Sequence, residues 1–195
     1  MEKIRIKPAR PVYPSPAALI TSIDADGKPN IITLAEVFNI SISKPVIIGI
    51  AVRTATYSHG LIKESGEFVV NQPTTSILAK VDGCGSVSGR KGADKFAEFG
   101  LTALPAAMVK PPLIAECPVN VECKVVGLQT VGDHDLFLGE VVVQHVDEDK
   151  LDDRGKPRAD TLDPIVYMES EYWSVGKRLE RHGYSRGNVW NVRGE

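Results

Sequence analysis

Most apolar residues of the chain fall into short runs with the period and composition of β-strands. The runs are rich in Val and Ile, and turn residues separate them, as in the segment DADGKPN that ends at residue 30. Residues 45–52, PVIIGIAV, form a continuous β-branched run, which is typical of a strand buried on both faces. The pattern predicts strands over residues 17–23, 31–38, 45–52, 67–71, 119–131, 136–146 and 164–168.

Helical segments are few and short. The pattern predicts helices over residues 57–65, 74–82 and 93–99. Thr56 or Ser58 is the N-cap candidate of the first helix, and Gly66 and Gly100 stand where the first and third should end. Sequential hairpins with helices between them predict a mainly β fold with short helices (β or α+β), arranged as an antiparallel barrel.

Composition narrows the function classes. The 195 residues suffice for one substantial core, and 23 basic against 25 acidic residues make nucleic acid an improbable partner. The first residues lack the apolar region of a signal peptide, and no apolar run approaches the roughly 20 residues of a membrane helix. The sequence therefore predicts a soluble cytoplasmic protein that binds neither membrane nor nucleic acid.

The cysteine pattern predicts no metal site. Cys84, Cys117 and Cys123 have poor zinc spacing, and no CxxC motif is present. The simplest interpretation is that all three are ordinary buried or half-buried thiols, with a redox or metal role as the less favoured alternative.

The stretch RTATYS, residues 53–58, combines a fixed positive charge with several hydroxyl groups before a predicted helix. It can be a capped helix start beside a surface arginine, a nucleic-acid contact, or a site for a phosphate monoester. The third interpretation follows from chemistry, because helix N-termini, small hydroxyls and arginine all donate hydrogen bonds to a phosphate dianion.

Three further stretches bear on this choice. CGSVSGRKGADKF, residues 84–96, is either a flexible loop or a second donor-rich corner whose Lys95 reaches a phosphate. Small residues there, and Thr33 and Ala35 in the strand over 31–38, permit a flat ligand to approach the backbone. Asn71, at the end of another strand, is either a ligand contact or a turn former.

The ordered set of motifs resembles the FMN-binding, flavin reductase-like split-barrel family, and within it the flavoredoxin and ferric-reductase-like branch. The resemblance rests on PSPAALITSIDADGKPNIITLAEV, VRTATYSHGLIKESGEFVVNQP, CGSVSGRKGADKFAEFGLT, PPLIAECPVNVECKV and GDHDLFLGEVV, in family order. It implies a split-barrel domain over residues 12–175, an N-terminal arm over 1–11 and a C-terminal tail over 176–195.

The resemblance also implies a binding site for FMN, and it carries over residue by residue. Arg53, Thr54, Thr56, Tyr57 and Ser58 would face the phosphate and ribityl chain, with Lys95 closing the phosphate site. The ring would lie along the backbone of Thr33, Leu34, Ala35 and Glu36. Asn71, Gln72 and Pro73 would lie near the ring or ribityl, and Ser86, Val87, Ser88 and Gly89 would complete the pocket. Some relatives carry an aromatic residue in place of Glu36, a departure that affects the wall of the ring pocket.

By the same resemblance, the protein would be an NAD(P)H-dependent flavin oxidoreductase that passes electrons to free flavin, a ferric complex or a partner protein. His134, in GDHDLFLG, would position the nicotinamide, although a histidine in a hairpin is also a common turn residue. The alternatives are a flavoredoxin-type electron carrier and a flavin-binding sensor without redox turnover. FMN would lie at the interface of a homodimer, and the tail, with Tyr172, Trp173, Tyr184 and Trp190 in or near it, either reaches across the partner or is disordered.

Overall fold

The fold is described from a computed structural model that covers residues 1–8, 10 and 12–187. Trp190, part of the predicted aromatic tail, lies outside these residues. The three α-helices that the structure describes there are α1 (Tyr57–Ser65), α2 (Leu78–Ser86) and α3 (Lys95–Glu98). The strands are β1 (Ser15–Pro16), β2 (Ala18–Ile23), β3 (Pro29–Leu34), β4 (Val37–Ser41), β5 (Ile47–Arg53), β6 (Glu67–Gln72), β7 (Ala103–Leu104), β8 (Leu113–Ile114), β9 (Val119–Val131), β10 (His134–Val146), β11 (Ile165–Met168) and β12 (Glu171–Ser174).

The main sheet has seven antiparallel strands in the order β3-β2-β6-β9-β10-β5-β4. Residues from one face of strands across the whole sheet pack into a single cluster, with Phe68 and Phe137 fully buried at its centre. Leu34 and Val37, from the two edge strands, both reach this cluster. The sheet therefore curls around one core, and burial of this apolar surface is the main stabilising term.

A second layer covers the outer face of β2 and β3. Leu19 and Ile31 point outward there and pack against Val81 and Cys84 of α2 and Phe96 of α3. This packing places the C-terminal end of α2 and the start of α3 directly beside β3, which is an edge strand. The two donor-rich stretches of the sequence are thereby brought to the same side of the molecule.

Helix α1 begins and ends largely as its sequence predicts. Thr56 is the N-cap, and its hydroxyl accepts a hydrogen bond from the His59 N–H. Gly66 ends the helix in the left-handed region at φ 68°, where a residue without a side chain is least strained. A buried hydrogen bond between His59 Nε2 and Asp135 Oδ2, of 2.8 Å, ties the first turn of α1 to β10.

Two predicted elements were wrong in detail. The strand predicted over 31–38 is two strands, because β3 pairs with β2 while β4 pairs with β5, and the chain changes partner at residues 35 and 36. The helix predicted over 74–82 begins with a 3-10 turn and then runs to Ser86, through two glycines that the packing of α2 on β3 accommodates. Residues 84–86 are therefore helical and not part of a loop. The short strands β1, β7, β8 and β12 were not predicted.

Candidate functional site

The two donor-rich stretches meet in one cavity of about 270 Å³, called here the donor cavity. One wall is the start of α1 and the other is the segment between α2 and α3. Its lining consists of Asn30, Ile32, Ala55, Thr56, Tyr57, Ser58, Cys84, Gly85, Ser86, Val87, Ser88, Gly89, Arg90 and Lys95. The convergence on which the phosphate interpretation depends is therefore present within a single chain.

The N-terminus of α1 supplies one half of the donors. The first N–H groups of a helix have no partner within the helix, and they carry a partial positive charge that favours an anion. Ser58, in the first turn, is only 2% exposed and lies in the cavity wall. Its hydroxyl accepts a hydrogen bond of 2.7 Å from Asn30 Nδ2.

Two cations stand on the opposite wall. Arg90 Nη2 donates to the Ala55 carbonyl at 2.9 Å, which holds the guanidinium across the cavity from its own loop. Lys95 is 3% exposed, and its Nζ donates to the Ile31 carbonyl at 2.6 Å and the Cys84 carbonyl at 2.7 Å. Burial lowers the pKa of Lys95 from its ordinary value. An ammonium group has three donors, so one remains beyond these two carbonyls.

A second cavity of about 300 Å³ adjoins the first, and Gly85 and Ser86 line both. It is called here the strand-end cavity, because it lies where β3 ends and the chain crosses to β4. As the edge of the sheet, β3 leaves alternate backbone N–H and C=O groups unpaired on this side. The remaining lining residues are Arg10, Ala17, Thr33, Leu34, Ala35, Glu36, Asp82, Tyr167 and Tyr172.

The strand-end cavity is closed on one side by the N-terminal arm. Arg10 Nη2 lies 2.6 Å from Glu36 Oε1, and the same guanidinium stands 5.1 Å from the centre of the Tyr167 ring. Tyr172 contacts Tyr167 edge to face and donates to Asp82 at 3.1 Å. Glu36, which departs from the aromatic residue of some relatives, is therefore held by an ion pair in the cavity wall.

Lys95 and eleven other predicted cofactor residues line these two cavities. Thr33, Leu34, Ala35 and Glu36 line the strand-end cavity, and Ser86 lines both. The Thr33 side chain donates to the Val81 carbonyl, so it offers backbone rather than hydroxyl to a ligand. The other predicted residues in the donor cavity are Thr56, Tyr57, Ser58, Val87, Ser88 and Gly89.

The structure does not bring Arg53 or Thr54 into the donor cavity. Arg53 ends β5 opposite His134, and its Nη2 lies 3.2 Å from Asp133 Oδ2. His134 Nδ1 lies 2.8 Å from Asp133 Oδ1, and this hydrogen bond, with the charge of Arg53, holds the pKa of Asp133 below its ordinary value. Arg53 and His134 thus share a carboxylate on an exposed hairpin, and neither residue lines either cavity.

Asn71, Gln72 and Pro73 line neither of these two cavities. Asn71 is fully buried; its Nδ2 donates to the Leu19 carbonyl at 3.0 Å, and its Oδ1 accepts from Asn120 Nδ2 at 2.8 Å and the Ile114 N–H at 3.0 Å. These bonds occupy the amide in holding β6 to its neighbours. Gln72 and Pro73 instead line a third, largely apolar cavity beside Val37 and Phe38.

Arg90, Asn30 and Arg10 are among the lining residues that sequence reasoning missed. Arg90 is a cation within the stretch already singled out, so it had the same signal as Lys95. Asn30 stands at the start of β3, where a turn residue is the ordinary expectation. Arg10 had no sequence signal, because its contact with Glu36 depends on how the arm folds back.

All three cysteines are free and buried, and their thiols are expected to be unreactive. Burial raises the pKa of Cys84 to about 11 and that of Cys123 to about 12, and it also raises that of Cys117. We expect a colourimetric thiol reagent at pH 8 to label none of them in the native protein and all three in denaturant. Rapid labelling of one native thiol would contradict this and would revive a redox role.

Comparison with known proteins identifies the family. A model of the flavin reductase like domain matches residues 10–176. The chain belongs to the flavin reductase-like family. The resemblance inferred from the motifs is therefore confirmed.

Similar proteins agree with this flavin reductase-like assignment. The chain is 41% identical over 175 residues to an uncharacterised protein of Archaeoglobus fulgidus, covering 90% of this chain and 92% of that one. It is 29% identical to NADH:riboflavin 5'-phosphate oxidoreductase of Streptomyces pristinaespiralis, covering 81% and 80%. The solved flavoredoxin of Desulfovibrio vulgaris (Miyazaki F) matches with a TM-score of 0.87 and 31% identity, over 95% and 100%. The predicted fold class, a mainly β antiparallel split barrel with short helices, is confirmed.

Among the helices that the structure describes, none has the length and apolar character needed to cross a membrane.

Proposed function

We propose that the chain binds FMN across the two adjoining cavities and acts as an NAD(P)H-dependent flavin oxidoreductase. The observation that carries the proposal is the donor cavity itself, in which a helix N-terminus, several hydroxyls and two cations face one space. FMN would supply hydride and electron transfer once bound, whereas the protein binds and orients it.

The residues present fit the chemistry of FMN. A phosphate monoester dianion requires several short donors and a compensating charge, which the α1 N-terminus, Ser58, Ser88 and Arg90 offer together. The strand-end cavity offers unpaired backbone groups of the edge strand β3 and small residues at Ala35 and Gly85, which leave room for a planar ring. Backbone N–H groups aimed at such a ring stabilise negative charge that develops on it.

Support for the reductase comes from a related protein's chemistry and not from His134. The Streptomyces relative is named for NADH and riboflavin 5'-phosphate, which is FMN. His134 stands on the exposed hairpin with Asp133, so its role in holding a nicotinamide would have to be exerted from outside both cavities.

A flavoredoxin-type electron carrier is the second candidate function. The 31% identity and TM-score of 0.87 to the Desulfovibrio flavoredoxin favour it. A carrier needs the same FMN site but no nicotinamide subsite. It would exchange electrons with another protein or a ferric complex.

Anaerobic mixing of the FMN-loaded protein with NADH, and separately with NADPH, distinguishes these functions. A reductase loses its oxidised-flavin absorbance on mixing and regains it when free flavin or a ferric complex is added. A carrier is bleached only by a chemical reductant or a reduced partner protein. FMN that stays oxidised under every condition would contradict both and would point to a sensor.

We also propose a homodimer, because the edge strand β4 exposes large apolar side chains. Phe38 is 45% exposed, Ile40 48% and Ile42, just beyond the strand, 85%. An uncovered apolar edge strand is prone to pairing and aggregation. A second copy related by a two-fold axis would cover the β4 strands of both copies. The motif resemblance likewise implies a homodimer, with FMN at its interface.

We therefore expect light scattering to give the mass of a dimer for the unaltered protein and of a monomer for Ile42→Asp. Ile42 makes few contacts within the chain, so a charge there should cost the fold little. Leu104→Asp, on an exposed residue of another sheet, is the matched control and should remain dimeric. A monomeric unaltered protein would contradict the proposal.

A further inference from the structure

Asn30 and Ser58 form a buried hydrogen-bonded pair in the wall of the donor cavity. Asn30 is 5% exposed and Ser58 2%, and Asn30 Nδ2 donates to Ser58 Oγ at 2.7 Å. A serine hydroxyl that accepts a hydrogen bond still has its own proton to donate. No acceptor for that proton is found in the part of the chain that the structure describes. The Ser58 proton is thus available to a ligand in the cavity.

Gly89 passes directly over the Asn30 amide. A Cβ on Gly89 would lie 2.2 Å from Asn30 Oδ1 and 2.8 Å from Cδ1 of Tyr57, so only glycine permits this approach. Asn30 Oδ1 is buried and accepts no hydrogen bond from the described residues. A buried acceptor left unpaired costs free energy, and such groups cluster where a site needs them.

We infer that Asn30 is a specificity-determining residue that turns the Ser58 hydroxyl into a donor toward the cavity. The inference rests on the proposed function and names what this site selects. A phosphate monoester dianion only accepts hydrogen bonds, so it pairs with a hydroxyl whose lone pair is already engaged. The neutral terminal hydroxyl of riboflavin gains much less from the same donor. The Asn30–Ser58 pair therefore selects the phosphorylated flavin.

The test compares equilibrium binding of FMN and of riboflavin, both followed by flavin fluorescence. We expect Asn30→Ala to weaken FMN binding about tenfold, while riboflavin affinity stays within about twofold of the unaltered protein. Asn30→Asp should weaken FMN about 100-fold or more, because its carboxylate both takes the Ser58 proton and repels the phosphate. The decisive quantity is the dissociation constant of riboflavin divided by that of FMN, which should fall in both variants.

Asn120→Ala is the matched control. Asn120 is 7% exposed and its Nδ2 donates to Asn71 Oδ1 and the Ile114 carbonyl, away from both cavities. It should lower the melting temperature and leave the ratio of dissociation constants unchanged. If Asn30→Ala does not fold, Ser58→Ala serves in its place, because it removes the hydroxyl that Asn30 orients. It should reduce the ratio of dissociation constants by as much as is expected for Asn30→Ala.

Two results overturn the inference. The first is that variants at Asn30 and Ser58 leave the ratio of dissociation constants as it is in the unaltered protein, because they weaken neither flavin's binding or weaken both equally. Either outcome would show that the pair does not select the phosphate. Unaltered protein that binds neither flavin would overturn the proposed function and this inference with it. Because the first result requires FMN binding by the unaltered protein, the two failures are distinguishable.

Discussion

Replacing Glu122 with alanine is expected to lower the free energy of unfolding by about 3–5 kcal/mol, because it breaks a buried charged network. Glu122 is fully buried in the first half of β9, and His145 Nε2 lies 2.6 Å from its Oε1. Its carboxylate also accepts hydrogen bonds from the N–H groups of Ala107 at 2.8 Å, Met108 at 2.6 Å and Val109 at 3.1 Å. One side chain thus anchors a whole irregular segment to the sheet.

Chemical denaturation at neutral pH measures this loss. Glu67→Ala is the matched control, because the Glu67 side chain accepts a single hydrogen bond, from the Lys110 N–H, and the residue is only partly buried. That variant should lose about 1 kcal/mol or less. Equal losses in the two variants would contradict the account of Glu122 as the main anchor.

The same network predicts a loss of stability in acid. Burial opposes ionisation of Glu122, but the hydrogen bonds from the Ala107 N–H, His145 and the Met108 N–H outweigh it and lower its pKa below the ordinary 4.5. Because the pKa of Glu122 is lower in the folded state, its ionised carboxylate stabilises the fold at pH values above the ordinary pKa. This stabilisation is lost as the pH falls through the pKa of the folded state. Glu122→Gln should therefore show a shallower fall in unfolding free energy below about pH 4.5 than the unaltered protein.

Arg90→Ala is expected to weaken FMN binding about 10- to 100-fold, the range of a lost charge-assisted pair with phosphate. Arg90 is the arginine expected to bind the phosphate, because its guanidinium spans the donor cavity. Arg53 is instead held by Asp133 on the hairpin. Lys91→Ala removes an equal charge one residue away and does not alter the cavity lining.

We expect Arg53→Ala and Lys91→Ala to change FMN affinity by no more than about threefold. Fluorescence titration at two salt concentrations checks this, because screening weakens exposed charges more than those within the cavity. A larger loss from Arg53→Ala than from Arg90→Ala would show that the phosphate lies at the β5 hairpin instead.

The local features of this protein were the easiest to predict. The β5 run, the hairpin of β9 with β10 and the caps of α1 all follow from period and end chemistry within a few residues. The two stretches that form the donor cavity were recognised because hydroxyls and cations at helix ends have one obvious chemical use.

What the sequence could not show depends on contacts between distant segments. The break between β3 and β4 depends on which strand each one pairs with. Asn71 is a residue type that often contacts ligands, but Asn120, 49 residues away, donates a hydrogen bond to its side chain. Arg53 and Arg90 both lie in donor-rich stretches of the sequence, and only the position of Asp133 and the path of the loop after α2 show that Arg90 is the one that lines the cavity.

The central claim is that the start of α1 and the segment after α2 together hold the phosphate of FMN. Titration of flavin-free protein with FMN tests it most directly, followed by flavin fluorescence and repeated with Gly89→Ala, whose new Cβ would collide with Asn30 and Tyr57. The account predicts saturable binding of one FMN per chain with a dissociation constant of about 1 μM or lower, lost or much weakened in the variant. Absence of saturable binding by the unaltered protein, or equal binding by Gly89→Ala, would contradict it.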